Sequence, residues 1–395
     1  MRLLNFFIRS ALVLVCLSLA ACGGVGGETT TYYGTPAAKT IISGIAMKGP
    51  FFKWSTVSVY AVTNGIKGAL IGQTKTTDDN GSYRADVGSY TGPVIVEVSG
   101  SYQDEATGNI VPVLDTKPIR AALPQVQGNV TLPVTPLTEL AVQKTGGAMT
   151  AEAITAANTL ISEVFKVDIV NTAPVVPKAE AVSAATQSQK DYTLALAAVS
   201  QLASASAGAN DTAKLQTALA TLSQNITETG MSSAVATTFQ TALADFVTTN
   251  AHNQTGVTDT STTSLVNVGT LSRNYTLFLQ GDTSVGPVKG VQFDLALPQG
   301  VTVNVNSADG TILSSSLQIS NSGPTDALLS SRLSSGTITV GMVSAQGISP
   351  GGFAMLTCNT PAGTTAPAAA AFAVKNLKVI GTKGDSLTGL VVTVD

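Results

Sequence analysis

The sequence predicts a multidomain, mainly β protein with an α-helical middle segment: two β-sandwiches joined by a small helical bundle. Three observations carry this. Apolar residues alternate with period 2 from about residue 41 to 133, recur at helical spacing from 136 to about 249, and alternate again from 271 to the end. A length of 395 residues is enough for two or three domains, and only 11% of the residues are charged while 44% are hydrophobic. Ser, Thr, Asn, Gln and Gly must therefore carry solubility, in the style of a secreted protein. A net charge of -3 leaves no basic surplus for phosphates, which argues against nucleic acid and against anionic lipid headgroups. One His and three Cys exclude His-based triads, His-rich metal sites and disulfide frameworks.

Arg2 and Arg9 precede a short apolar run from Ser10 to Ala20, the pattern of a secretory leader too short to span a bilayer. The run closes on Leu19-Ala20-Ala21-Cys22, which resembles the bacterial lipobox. The resemblance implies that residues 1–21 are a lipoprotein signal peptide and that Cys22 becomes the acylated first residue, its acyl chains (palmitate among them) anchoring the protein in a membrane. Gly23 in place of Asp resembles the outer-membrane sorting pattern. Residues 22–40 are Gly- and Thr-rich without periodicity and read as a flexible tether. With Cys16 lost in the leader, Cys358 remains, and its setting in Ala354-x-Leu356-x-Cys358 predicts a small buried hydrophobe.

Within 41–133, Val57 and Val59, like Val94, Val96 and Val98, line one face of half-buried strands. Asn80-Gly81 between Thr74–Thr77 and Ser82–Ala85 predicts a hairpin, and Asn64-Gly65 marks a second turn. Ser43-Gly44-Ile45-Ala46-x-x-Gly49-Pro50, Val57-x-Val59-Tyr60 and Thr76-Thr77-Asp78-x-Asn80-Gly81-x-Tyr83 together resemble the carboxypeptidase-regulatory or transthyretin-like β-sandwich. That resemblance implies a non-catalytic spacer or ligand-presenting domain. Ser101 to Gly108 looks like a loop of the same module.

Residues 134–249 form the predicted helical segment. Thr135 is the expected cap of a short helix at 136–144 that starts on Pro136. Four longer amphipathic helices are spaced by Ile154–Phe165, Tyr192–Leu202, Leu215–Ile226 and Val235–Phe246. Gly208 and Gly230 are expected as C-terminal glycines, and Asp211 and Ser232 as N-caps. The helices form either a bundle of their own or an insertion packed beside the sandwich.

Residues 250–270 are rich in Thr, Asn and Asp and contain His252, so an interdomain linker and hinge is expected there. Strands are then predicted at Tyr275–Leu279, Val291–Leu297, Val301–Val305, Ile338–Met342, Phe353–Cys358, Ala371–Val379 and Leu390–Val394. Gly290-Val291-Gln292-Phe293-Asp294-Leu295-x-Leu297-Pro298-x-Gly300-Val301, Gly351-Gly352-Phe353 and Phe372-x-Val374-x-Asn376-Leu377-x-Val379 resemble a cohesin-type module of the carbohydrate-binding sandwich superfamily. This implies a nine-stranded jelly roll over 271–395 whose relatives bind dockerins or, in sister groups, polysaccharides.

His252 lies in a polar context and reads as a solvated loop residue rather than a general base. Acids are scattered, with no recognisable pair for a glycosidase. Asp78, Asp79 and Asn80 resemble the start of a Ca²⁺ loop without its later Glu. Asp104 and Glu105 are read the same way, so these four acids are the residual metal candidates and no metal or cofactor is expected. No Gly-rich loop leads a strand into a helix, so no nucleotide is expected. Tyr275, Phe293, Phe353 and Phe372 fall at core positions. Trp54 shares a face with Thr56, Ser58 and Tyr60, where contact with the helices is the expected role and a ligand platform the other. The function expected is a non-enzymatic, outer-membrane-anchored lipoprotein whose C-terminal sandwich recognises a protein of the cell envelope. Envelope polysaccharide binding is the alternative, and a hydrolase is disfavoured.

Overall fold

A computed structural model describes residues 39–282, 286–306 and 308–395. The expected leader, Cys22 and most of the expected tether lie outside the described residues. The fold is mainly β with a helical middle, as the alternation and helical spacing require.

The first sandwich contains β1 (Ile41–Ile45), β2 (Thr56–Thr63), β3 (Ile66–Lys75), β4 (Ser82–Asp86), β5 (Gly92–Gln103), β6 (Ile110–Val113), β7 (Ile119–Val126) and β8 (Asn129–Thr131). One sheet runs β4-β1-β8, with β1 and β8 parallel; the other runs β3-β2-β5, with β6 and β7 pairing successive halves of the long strand β5. Val57, Val59, Val94, Val96 and Val98 point into the space between the sheets and are fully buried. Ile95, on the opposite face of β5, is buried as well, against Val62, Ala122, Val142, Met149 and Ile154. That second burial explains why Val94 to Val98 is nearly continuous in apolar residues.

The two Asn-Gly pairs behave differently. Asn64 (φ 54°) and Gly65 (φ 74°) both take the left-handed conformation and close the β2–β3 hairpin. Asn80-Gly81 does not make a hairpin, because β3 pairs with β2 whereas β4 pairs with β1. Here the turn hands the chain from one sheet to the other: Asp78 Oδ1 accepts from the N–H groups of Asn80 and Ser82, both at 3.0 Å. Gly81 (φ 81°) is required there, since a Cβ would sit 2.1 Å from the Ala46 carbonyl oxygen. Trp54 also departs from expectation. It precedes β2 in a turn at φ 74° and is 67% exposed; the Lys53 ammonium lies 4.8 Å from its ring centroid.

The helices are α1 (Pro136–Lys144), α2 (Ala151–Phe165), α3 (Ala179–Ala184), α4 (Gln187–Ser204), α5 (Asp211–Asn225) and α6 (Ser233–Thr248), with the small ladder β9 (Ile226–Thr227) and β10 (Gly230–Met231) between the last two. Thr135 caps α1 within a capping box. The short α3 follows Pro177 and buries one apolar residue, Val182, too little for a periodic signal. Asn210, not Asp211, caps α5; Gly208 has no positive φ, and Gly230 (φ 96°) serves the small ladder instead. Ser232 does occupy the N-cap of α6 but makes no side-chain capping bond. One continuous apolar core runs from the first sandwich through Leu137, Ile161, Phe165, Tyr192, Phe239 and Phe246 to Leu271. The helices therefore pack on one another and, through this shared core, are docked on the first sandwich.

Residues 250–270, expected to form a hinge, are packed. Leu265 and Val268 are buried in that core, Thr263 Oγ1 donates to Asp191 Oδ1 at 2.7 Å, and Asn250 Nδ2 donates to the Ala106 carbonyl at 3.0 Å. Polar side chains here bond to α4 and to the β5–β6 loop, which supplies the ordering energy that the Thr/Asn composition concealed.

The C-terminal sandwich contains β11 (Leu271–Gly281), β12 (Val288–Ala296), β13 (Leu317–Ile319), β14 (Leu328–Ser334), β15 (Thr337–Ile348), β16 (Gly351–Thr360), β17 (Ala373–Ile380), β18 (Ser386–Leu387) and β19 (Leu390–Val394). Its sheets are ordered β13-β16-β11-β19 and β14-β15-β12-β17-β18. Tyr275, Phe293, Phe353 and Phe372 are in its core, with Tyr275 and Phe372 rings 4.5 Å apart. Cys358 is buried and its thiol is pushed up to about 12 by desolvation. The expected strand at Val301–Val305 is reduced to isolated bridges, Thr302 to Asn359 and Val305 to Ile312. The sandwich meets the helical segment through Lys166, whose Nζ donates to Asn359 Oδ1 of β16 at 3.5 Å, and through Arg273 and Glu163 at 3.5 Å.

Candidate functional site

Two features stand out: an ionic cluster buried between the first sandwich and α4, and an open face of the C-terminal sandwich.

The cluster begins with Lys48, in the turn that follows β1. Gly49 (φ 67°) brings this turn so close to β5 that a Cβ would lie 1.8 Å from the Gln103 carbonyl oxygen, and it aims its own N–H at Glu105 Oε1, 2.8 Å away. Lys48 is fully buried, with Nζ 2.9 Å from Asp104 Oδ2, 3.5 Å from Glu105 Oε2, against Ser200 Oγ of α4, and 5.2 Å from the Tyr102 ring centroid. Asp104 Oδ1 accepts from the N–H groups of Ala106 and Thr107, both at 3.0 Å, and from Thr107 Oγ1 at 3.2 Å. Ser200 Oγ donates to Glu105 Oε2 at 2.6 Å. Burial pulls the Lys48 ammonium down, but the Asp104 and Glu105 carboxylates outweigh it and its pKa lies above that of an ordinary lysine. Burial raises Asp104, and the facing Lys48 ammonium more than reverses that. Burial pushes the Tyr102 phenol up.

Asp104 and Glu105 thus hold an ammonium ion of the chain itself. Asp78 orders the sheet-crossing turn, and Asp79 Oδ1 accepts from the Lys53 N–H at 3.0 Å. The four acids do not converge, and among the described residues no group of three or more His, Cys, Asp or Glu could hold a metal. His252 is an exposed loop residue, its ring lying over Gly108. Lys48 and Ser200 were missed in the sequence. The available signal was a lone lysine inside the apolar run Ile45-Ala46-Met47-Lys48-Gly49-Pro50-Phe51-Phe52.

The open face belongs to the sheet β14-β15-β12-β17-β18. Register places Leu328, Val343, Gly290 and Ile380 in one row across four strands. Leu328 is 74%, Val343 53% and Ile380 39% exposed. The next row is Ser330, Gly341, Gln292 and Lys378, and the one after it Arg332, Thr339, Asp294 and Lys375. Thr339 and Asn376 both donate to the Asp294 carboxylate at 2.7 Å, which uses its charge locally. The result is a strip with an apolar edge, a middle row of small or polar side chains, and a mildly basic far side. No exposed aromatic row suitable for stacking a sugar is present among the described residues; Trp54 stands apart in the first sandwich.

No protein-family model matches the chain, and no curated protein matches it. Among solved structures, a non-cellulosomal cohesin from the hyperthermophilic archaeon Archaeoglobus fulgidus is similar over 30% of this chain and 72% of its own, at 12% identity and a TM-score of 0.22. A 9R-lipoxygenase from Cyanothece PCC8801 is similar over 90% of this chain and 44% of its own, at 10% identity and a TM-score of 0.17. Scores this low bear on neither activity nor partners. The class of protein defined by the chain itself is a multidomain, mainly β protein ending in a two-sheet sandwich.

Proposed function

We propose that this protein is a lipid-anchored, non-enzymatic lipoprotein of the outer membrane, held by Cys22. In this reading a transthyretin-like sandwich and its docked helices carry a cohesin-like C-terminal sandwich, which recognises a protein of the cell envelope. The observation that carries the reading is the aligned exposed row Leu328, Val343, Gly290 and Ile380. An apolar strip beside small and polar rows desolvates at low cost, and its area rather than its charge would supply affinity. The partner it fits is a protein surface with a matching apolar ridge.

Two arms test this. Cys22→Ser moves the protein from the membrane to the soluble fraction; retention of that variant in the membrane refutes the anchor. Leu328→Asp with Val343→Asp, in the full chain, removes a partner captured from the envelope fraction by the wild type, while raising salt weakens capture only slightly. Unchanged capture by the double variant, or steep loss with salt, refutes the face.

A further inference from the structure

The Lys48 cluster is arranged for more than an ion pair. We propose that Lys48 and Asp104 condense into an intramolecular isopeptide bond, which ties the turn after β1 to the β5–β6 loop.

Four features of the geometry support this. The Lys48 nitrogen is in contact with Asp104 Oδ2 at 2.9 Å, in a site closed to solvent on the lysine side, so the reacting groups are already held together. Asp104 Oδ1 is held by two backbone N–H groups and a hydroxyl. Those donors would stabilise the oxyanion that forms when nitrogen adds to the carboxyl carbon. Glu105 reaches Lys48 both directly and through Ser200 Oγ, so a second carboxylate is in place to relay protons. Finally, a cavity of about 70 Å³ lined by Asp104, Glu105, Pro50, Gly108 and His252 adjoins the pair, large enough for a departing water.

The step balances without an oxidant or co-reactant. Glu105 takes a proton from the Lys48 ammonium and delivers it to Asp104; the freed lone pair on Nζ forms the bond to Cγ. The Cγ–Oδ2 bond then breaks, and the oxygen leaves as water carrying two of the three ammonium protons, with the third left on the amide nitrogen. A buried ion pair, expensive to desolvate, becomes a neutral amide.

The test is mass spectrometry of the full-length protein after denaturation and tryptic digestion, for wild type, Lys48→Arg and Glu105→Gln. Wild type should lack the mass of one water and yield a branched peptide whose fragments join Lys48 to Asp104. Lys48→Arg keeps the cation but cannot form the amide, and Glu105→Gln loses the relay, so both should keep the full mass. A wild-type chain of full mass overturns the proposal, whether or not the variants fold. So does a lost water without a branched peptide, since aspartyl cyclisation gives the same mass.

Discussion

Ile154→Ala tests whether the helices and the first sandwich are one body. Ile154 is 1% exposed and packs with Val62, Ile95, Ala122, Val142 and Met149, at the junction of α2 with the outer face of β5 and β7. The substitution removes the γ and δ carbons beyond Cβ, worth ~0.8 kcal/mol each, so ~2.4 kcal/mol of transfer free energy is lost. Sheet and helix both limit collapse into the gap, and the cavity term brings the expected loss to ~3–4 kcal/mol. Equilibrium urea unfolding should show a lower midpoint with an unchanged slope. Hydrogen exchange should speed up together in α2, β5 and β7. A loss below ~1 kcal/mol, or faster exchange in α2 with β5 and β7 unchanged, would refute the docking argument.

Three further outcomes follow from individual residues. Burial lowers Lys166 to about 8; since its folded pKa lies below its unfolded value, protonation favours the unfolded chain. Stability should therefore rise by ~2 kcal/mol as pH increases from about 8 to about 10.5, allowing for its partial exposure, and Lys166→Gln should lack that rise in urea titrations across the window. The Cys358 thiol, held at about 12, should react with iodoacetamide at pH 8 roughly 1000-fold more slowly in the native protein than in urea; equal peptide labelling in both would contradict its burial. Gly49→Ala should cost ~3 kcal/mol or more, because its Cβ would meet the Gln103 carbonyl oxygen. Gly88→Ala, at φ 65° with open space around it, should cost only ~1 kcal/mol, and equal losses in thermal melts would contradict the close approach.

Much of the fold was legible because single rules governed whole elements. Val57 with Val59 and Val94 with Val96 and Val98 gave both strands and the buried face, and Thr135-Pro136 gave the start of α1. What was not legible depended on tertiary partners. Asn80-Gly81 looks like a hairpin locally, but β4 pairs with β1 instead of β3, a choice made by residues far away in the chain. The segment 250–270 has no apolar stripe, yet Asp191 and Ala106 supply partners for its polar side chains. Asp104 and Glu105 were visible as acids; that their partner is Lys48, 56 residues from Asp104 in the chain, is invisible to spacing. The exposed row of the C-terminal sheet combines four strands, so only the register reveals it.

In the proposed function, the outer face of the sheet β14-β15-β12-β17-β18 recognises a protein of the cell envelope. Photo-crosslinking in intact cells tests it most directly, with a photoreactive residue placed in the full-length protein at Val343 or, as a control, at Val391, which is 50% exposed on the other sheet. A discrete protein adduct is expected at Val343, lost with Leu328→Asp, and none at Val391. The same adducts at both positions, or none at Val343, would contradict it.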